Sequence, residues 1–358
     1  MNRRLRLGLV GTSRGSAYGT LAYRSPDCDI VAVCDLSPEA LAAQQKRLEL
    51  SDSQCFTDYE KFIAETNLDG VIISTPIWLH ADQTVIALEA GVNVLSEVTA
   101  SNMIDGCRRI IEAVRRTGKM YMIGENACFS PRVKEWHALV ESGRLGEIVY
   151  AEGDYIHPIP ELLIDAKTGE RKWRAERPPL HYCSHSLGPI LLLTGDRIMR
   201  AMGIGQGHRI LPEVPIGGVD MQVALFETQK GMLIKMTRTQ AAPRHPAIHY
   251  CYLQGTKGFV ETGRGQEDSC LVYLKDEMEQ AQRVEYPHLD PEAPEWALLP
   301  YHGTSDYGTF KAFLDALSSG QKPVLDEVWA WDVTVPGLVA AESARQGGQW
   351  MDVPQPPQ

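Results

Sequence analysis

The chain has 358 residues, 44% of them hydrophobic and 23% charged, with a formal net charge of −11. That length accommodates two domains, each with its own core. The acidic balance argues against non-specific binding to nucleic acid or to an anionic membrane, and no apolar run approaches the ~20 residues of a membrane span. Met1-Asn2-Arg3-Arg4-Leu5-Arg6 is basic, but Gly8 and Gly11 break the following apolar stretch. It reads as a first strand rather than an export signal. The eight cysteines lack paired spacing, so reduced thiols and a cytoplasmic location are expected.

Residues 5–10 form an apolar run followed by a Gly/Ser loop. A second apolar run, 30–34, stops at Asp35. Ser37-Pro38-Glu39 opens a helix, with Ser at the N-cap, Pro at the first helical position and Glu in the first turn. Thr57-Asp58-Tyr59-Glu60 reads as a capping box. A buried-type strand at 71–74 ends at Thr75-Pro76, and a helix continues to Ala90, with Gly91 as its stop. Then come a strand at 92–95, a helix at 102–116 stopped by Gly118, and a strand at 120–123. This alternation predicts an α/β Rossmann domain with a doubly wound parallel sheet over residues 1–125.

The pattern changes after Glu125. A helix from Ser130 and Pro131 to Gly143 precedes alternating strands at 148–157, 221–228, 232–239, 249–254, 258–262 and 271–274. Gln229-Lys230-Gly231 is a hairpin signal. Residues 126–358 are therefore expected to form an α+β domain with a large, mostly antiparallel sheet, used for substrate binding and oligomerisation. Residues 286–303 read as a long Pro-rich loop, 306–317 and 328–346 as helices, and the tail from Val353 as frayed.

Gly11-Thr12-Ser13-Arg14-Gly15 follows the first strand and is an imperfect dinucleotide fingerprint, with Ser13 where a second Gly is expected. Glycines there allow backbone N–H groups to approach a pyrophosphate at a helix N-terminus. Asp35, at the end of the second strand, is placed to accept hydrogen bonds from a ribose and would repel a 2′-phosphate, which favours NAD. No metal is expected.

The whole chain resembles the Gfo/Idh/MocA oxidoreductase family. Asp35, Thr75-Pro76-Ile77-Trp78-Leu79-His80 and Ala90-Gly91-Val92-Asn93-Val94 stand in the family's order. The match is more specific to its branch of NAD-dependent glycosidases, first recognised as α-N-acetylgalactosaminidases. Ser96-Glu97-Val98-Thr99-Ala100 resembles that branch's Ser-Glu-Val-Pro-Ala, where sugar dehydrogenases carry Glu-Lys-Pro with a proton-relay lysine. Gly124-Glu125-Asn126, Glu152-Gly153-Asp154-Tyr155-Ile156-His157, Tyr182-Cys183-Ser184-His185-Ser186-Leu187-Gly188-Pro189 and His302-Gly303-Thr304-Ser305-Asp306-Tyr307 continue the likeness. Thr99, Cys183 and Ser186 depart from the pattern.

The resemblance implies NAD as cofactor and a reaction on a sugar glycoside by transient C3 oxidation, C2 deprotonation, elimination and water addition. It implies Tyr182 as the C2 acid/base, which would need nearby positive charge because a free phenol has a pKa of about 10. Arg174, Arg177 and the nicotinamide ring are candidates to supply it. His185 is the candidate C3-hydroxyl base, and Glu97 and His157 complete the catalytic set. Gly11, Thr12, Ser13, Arg14, Gly15, Asp35, Thr75, Pro76, His80 and Glu97 are expected at the cofactor. Glu125, Glu152, Tyr155, Trp173, Arg174, His302, Asp306 and Tyr307 are expected at the sugar, although strand alternation puts Glu152 on the face opposite Tyr155 and His157. An aromatic with arginines suits a sugar with an acidic group, and Arg238, Arg244 and His245 raise the same possibility. A net sugar or inositol dehydrogenase is the nearest alternative, followed by a two-carboxylate hydrolase using Glu97, Glu125 or Glu152 and by a non-catalytic sensor. A homo-oligomer, dimer or tetramer, is expected.

Overall fold

The computed structural model describes residues 3–207, 209–210, 219–300 and 302–358. The expectations that touch Met1, Asn2 and Tyr301 lie outside the described residues.

In chain order the first elements are β1 (Leu5–Val10), α1 (Ser16–Arg24), β2 (Cys28–Cys34), α2 (Pro38–Arg47), β3 (Cys55–Phe56) and α3 (Tyr59–Glu65). They continue with β4 (Gly70–Ile73), α4 (Ile77–Glu89), β5 (Asn93–Glu97), α5 (Ile104–Thr117) and β6 (Tyr121–Gly124). All six strands pair in parallel, in the order β3-β2-β1-β4-β5-β6. That is the doubly wound dinucleotide-binding order, in which the strand order reverses between β1 and β4. Local sequence explains the helix ends. The Ser37 side chain accepts a hydrogen bond from the Ala40 N–H ahead of Pro38, and Gly118 ends α5 at φ 65°. The cap of α3 is Asp58, which accepts from Lys61 N, rather than Thr57. A carboxylate at that position satisfies an orphan N–H and suits the positive end of the helix dipole.

The remaining elements are α6 (Pro131–Glu141), β7 (Ile148–Ile156), α7 (Pro160–Leu163), α8 (Ser184–Thr194), β8 (Ile198–Gln206), β9 (Met221–Thr228) and β10 (Leu233–Thr239). After them come β11 (Ile248–Gly255), β12 (Gly258–Gly263), β13 (Gln266–Leu274), β14 (Gln282–Glu285), α9 (Ser305–Ser319), α10 (Glu327–Arg345) and β15 (Met351–Asp352). The second sheet runs β14-β13-β12-β11-β7-β10-β9-β8-β15. Its neighbours pair antiparallel, except that β10 runs parallel to β7.

The chain divides into two compact units, residues 1–129 with 289–331 and 356–358, and residues 130–288 with 332–355. The expected division was 1–125 and 126–358. Residues 289–331 join the first unit because α9 packs on its sheet. A Cβ on Gly70 of β4 would meet the Phe313 ring at 2.9 Å, and Phe310 lies 6.3 Å from Tyr18 of α1. The tail is not frayed as expected. Met351–Asp352 pair with β8, the Val353 N–H donates to Met199 O at 2.8 Å, and Arg115 donates to the carbonyls of Pro357 at 2.6 Å and Gln358 at 2.7 Å.

In the second unit one face of the large sheet is covered. A Cβ on Gly153 of β7 would meet Ser186 of α8 at 2.8 Å, and one on Gly203 of β8 would meet the backbone of Ala340 in α10 at 2.1 Å. No side chain fits at either contact, so glycine lets these helices seat close to the strands.

Candidate active-site clusters

In the first unit, the turn after β1 is built for close backbone approach. Gly11 has φ 79°, and a Cβ there would lie 2.6 Å from the Ser74 carbonyl group. Gly15 immediately precedes α1 and donates to Gly11 O at 3.1 Å. Ser13 is exposed on the turn. Asp35 follows β2 and organises the loop. Its Oδ2 accepts from Thr12 N at 2.6 Å and Thr12 Oγ1 at 2.8 Å, and its Oδ1 accepts from Ser37 N at 2.9 Å. A carboxylate accepts about four hydrogen bonds, so capacity for a ribose hydroxyl remains. The positive-φ glycine, the helix N-terminus and the carboxylate beyond the next strand fit a dinucleotide.

Thr75, Pro76 and His80 sit where β4 feeds α4. Thr75 Oγ1 donates to Gln83 Oε1 at 2.6 Å, and Pro76 holds the N-cap position of α4. His80 is buried, with its two ring nitrogens each 2.7 Å from a carbonyl oxygen, of Thr99 and of Thr75. Burial lowers its pKa, against the pull of those carbonyls. Its ring braces the turn after β5.

Glu97 ends β5 and is buried. Arg14 Nη2 lies 2.9 Å from Glu97 Oε1 and 3.7 Å from Asp306 Oδ1. Asp306, in the first turn of α9, also accepts from Asn126 Nδ2 at 2.8 Å, and its Oδ2 lies 3.1 Å from His302 Nδ1. Burial raises the pKa of Glu97, Arg14 opposes this, and the Asp306 charge adds to the rise. For Asp306 burial pulls the same way, but His302, Arg14 and Asn126 outweigh it and hold the carboxyl at about 2. His302 is pushed above the usual imidazole value, chiefly by its hydrogen bond to Asp306. Two further residues are expected at the sugar, and the charge of one, Glu125, adds to the rise at Glu97. Glu125 is 0% exposed, and its Oε1 accepts from Ala127 N at 3.2 Å, so it caps the turn that follows β6. Tyr307 packs edge-on against Trp296, with ring centroids 5.4 Å apart.

The second unit holds a separate aromatic, histidine and arginine cluster. Strand register creates it, because Arg238 of β10 and His249 of β11 both pair with Tyr155 of β7. The Arg238 guanidinium lies 4.0 Å from the Tyr155 ring centroid, and the His249 ring lies 4.8 Å from it. His157, just past β7, has Nδ1 3.2 Å from Tyr155 Oη. His185, in the first turn of α8, has Nε2 3.2 Å from Tyr182 Oη, and its carbonyl accepts from His249 Nε2 at 2.9 Å. The expected C3-hydroxyl base thus points at the phenol.

Two buried guanidinium groups flank Tyr182, Arg177 at 4.2 Å and Arg238 at 5.0 Å from its ring centroid. Arg177, 8% exposed, donates to Gln240 Oε1 at 2.6 Å. Burial, with Arg238 and Arg174 adding to it, lowers its pKa to about 9. His181 is lowered to about 4 by burial and by Arg177. Arg174 stacks over Trp173 at 4.2 Å, and Arg177 lies 5.8 Å from the same ring.

Glu152 lies outside this cluster, a correction to its expected place at the sugar. Its Oε2 is 2.7 Å from Lys235 Nζ and its Oε1 accepts from Tyr150 Oη at 2.8 Å, on the sheet face opposite Tyr155. Arg244 and His245 are exposed. Sequence reasoning left out His249 and gave Arg238 no place beside Tyr155, because both placements depend on strand register. Among the described residues no group of three or more His, Cys, Asp or Glu is arranged to hold a metal, and no helix is long and apolar enough to cross a membrane.

A doubly wound parallel sheet with this loop chemistry, followed by a mixed nine-stranded sheet, defines a protein with an NAD-binding Rossmann domain and an α+β partner domain. Residues 5–125 match the family described as "Oxidoreductase family, NAD-binding Rossmann fold", and residues 133–261 match the "GFO/IDH/MocA C-terminal domain". The chain belongs to the Gfo/Idh/MocA oxidoreductase family. It is 25% identical to a glycosyl hydrolase family 109 protein of Stenotrophomonas maltophilia, over 98% of this chain and 89% of that one. It is 28% identical to one from Shewanella pealeana over 71% of this chain, and spans 62% of that relative's length. With the α-N-acetylgalactosaminidase of Shewanella oneidensis it shares 26% identity, over 71% of this chain and 62% of that one. Among solved structures it has the fold of a levoglucosan dehydrogenase complexed with NADH (TM-score 0.84, 20% identical, 99% of this chain and 100% of that one). It also has the fold of an inositol dehydrogenase homologue of Azotobacter vinelandii complexed with NADH and myo-inositol (TM-score 0.81, 18% identical, 98% of each chain).

Proposed function

We propose that this protein is an NAD-dependent glycoside hydrolase that cleaves a sugar glycoside by transient oxidation at C3, C2 deprotonation, elimination and water addition. The observation that carries the reading is the Tyr182–His185 pair, 3.2 Å apart with guanidinium groups 4.2 and 5.0 Å from the phenol ring. Such a phenol has an imidazole to exchange protons with and positive charge to stabilise its anion. The names of the glycosyl hydrolase family 109 relatives support the same reading.

Gly11, Thr12, Arg14, Gly15 and Asp35 would hold the dinucleotide, with Ser13 on the same turn. The chemistry NAD supplies when bound is reversible acceptance of the C3 hydride, which leaves a ketone that acidifies the adjacent C2–H. Tyr182 takes the C2 proton, and His185 orients the phenol and exchanges protons with it. Tyr155, His157 and His249 line the same cluster and bind ring hydroxyls, with Trp173 and Arg174 beside them. Val98 stands where sugar dehydrogenases carry lysine, so hydroxyl deprotonation falls to another group. The outer face of the nine-stranded sheet fits self-association as a homo-oligomer.

Incubation with aryl glycosides in D2O tests the reaction. Deuterium at C2 of the released sugar is the expected result. The second reading, a net sugar dehydrogenase, is favoured by the dehydrogenases that share the fold. Stoichiometric NADH without C2 exchange would establish it in place of the first.

A further inference from the structure

Without the relay lysine, the hydroxyl proton released during C3 oxidation needs an acceptor. We propose that His302, held by Asp306, is that acceptor and replaces the lysine as proton relay. The proposal rests on the reading above only in requiring oxidation of a hydroxyl-bearing ring carbon, which a glycosidase and a dehydrogenase share.

The geometry is that of an oriented imidazole. Asp306 is 1% exposed and kept ionised by its surroundings. Its Oδ2 takes the Nδ1–H of His302 at 3.1 Å, which leaves Nε2 as the basic nitrogen. The His302 side chain is 47% exposed, so the ring is tethered on one side and accessible on the other. Asp306, Arg14 and Glu97 are the charged groups that act on it, and Asn126 supports Asp306. Arg14 comes from the turn after β1, Glu97 from the end of β5, Asn126 from the turn after β6 and Asp306 from α9. The Arg14 guanidinium ties Glu97, the residue preceding Val98, to Asp306. The dyad is thereby anchored to the strand end where the lysine is missing.

In the step, the hydroxyl O–H bond breaks and its proton moves to Nε2, while the oxygen retains the electron pair that closes the C=O bond. The carbon is oxidised as its C–H pair leaves as hydride to the oxidised nicotinamide dinucleotide, which is reduced. In the return direction Nε2–H gives the proton back. His302 must be neutral to accept a proton, so the forward rate rises with pH through its ionisation. Asp306 pushes that ionisation upward, and removing the carboxylate moves it down.

The test combines histidine NMR on the full chain with single-turnover absorbance of NADH. The probes are p-nitrophenyl N-acetyl-α-galactosaminide, levoglucosan and myo-inositol. In the wild type, the acid limb of the hydride-transfer rate coincides with the NMR midpoint of His302. Asp306→Asn moves both to lower pH. His302→Gln lowers the rate ~100-fold with little change in KM, binds NAD as the wild type does, and is partly rescued by added imidazole.

A His302→Gln variant with the wild-type rate and pH profile overturns the proposal. So does an NMR midpoint unmoved in Asp306→Asn, a result that needs no reacting sugar. Absence of C2 deuterium exchange with the relay results intact would discard the glycosidase reading and leave the relay standing.

Discussion

At the scale of single residues, the first unit concentrates charge and the second surrounds a phenol with cations. Asp306 has its carboxyl held at about 2, against about 3.9 for an unfolded Asp. A depressed carboxylate contributes stability that is present above the unfolded value and is lost as pH falls through the folded one. The gap of about two units corresponds to roughly 3 kcal/mol at neutral pH, an order-of-magnitude figure. Asp306→Asn should therefore lower unfolding free energy by about that amount at pH 7, and the difference should close between about pH 4 and pH 2. Urea denaturation at a series of pH values checks it, and a pH-independent difference would assign the loss to packing. In the second unit, Tyr182→Phe keeps the ring beneath the Arg177 and Arg238 guanidinium groups but removes the exchangeable proton. Glycoside cleavage should fall by about 10²–10⁴, while reduction of bound NAD by the sugar persists in single turnover. Equal loss of both would show that the phenol serves the oxidation step instead.

At the scale of elements, the turn between β1 and α1 makes the sharpest demand on sequence. Gly11 takes φ 79°, and an alanine Cβ would sit 2.6 Å from the Ser74 carbonyl carbon and oxygen. A left-handed conformation costs a non-glycine residue roughly 1–2 kcal/mol, and the clash with backbone adds to it. Gly11→Ala should weaken NAD binding at least about 10-fold, the equivalent of about 1.4 kcal/mol, with a lowered melting temperature. Fluorescence titration with NADH measures this, and an affinity within about twofold of wild type would show that the turn tolerates a side chain. Such local signals made the Rossmann half readable. Ser37-Pro38 marked a helix start that the Ser37 side chain caps, and Gly118 marked a helix end at φ 65°. Tyr182 and His185, singled out through the family resemblance, lie three residues apart at the entry to α8 and meet at 3.2 Å. What could not be read depends on distant pairing. β8 went unseen because Gly203 and Gly205 interrupt its alternation, and the tail looked free because Arg115 and β8 lie far from it in sequence. His249 and Arg238 reach Tyr155 only through the β11–β7 and β10–β7 registers, which join strands distant in sequence with no hairpin turn to set the pairing.

At the scale of the whole molecule, the nine-stranded sheet presents one face that, among the described residues, no helix of its own unit covers. Ile204 and Leu233 are 58% and 51% exposed there, with Val223 and Leu225 also exposed between them on β9. Tyr150, Tyr252, Phe259 and Tyr273 continue the face as a chain of ring contacts 5.9 to 6.1 Å apart. Of its charges, Lys235 pairs with Glu152 at 2.7 Å and Arg264 with Asp154 at 3.2 Å, and Glu261 accepts from the Tyr250 hydroxyl, which limits the ions to be desolvated on burial. Nine strands about 4.8 Å apart, each about six residues long at about 3.3 Å per residue, present roughly 850 Å². That is close to the ~800 Å² per partner of a standard protein interface. We propose a second copy of the chain as its occupant, because the ion pairs are internally satisfied and the exposed side chains are aliphatic and aromatic, as in homodimer interfaces. Leu225→Lys combined with Leu233→Lys places two like charges on that face without touching the buried side of the sheet. The wild type should sediment as a dimer or larger at about 10 μM, whereas the double variant should sediment as a monomer with its NAD binding retained. A monomeric wild type, or an oligomer that survives both lysines, would mean that this face is not the contact between copies.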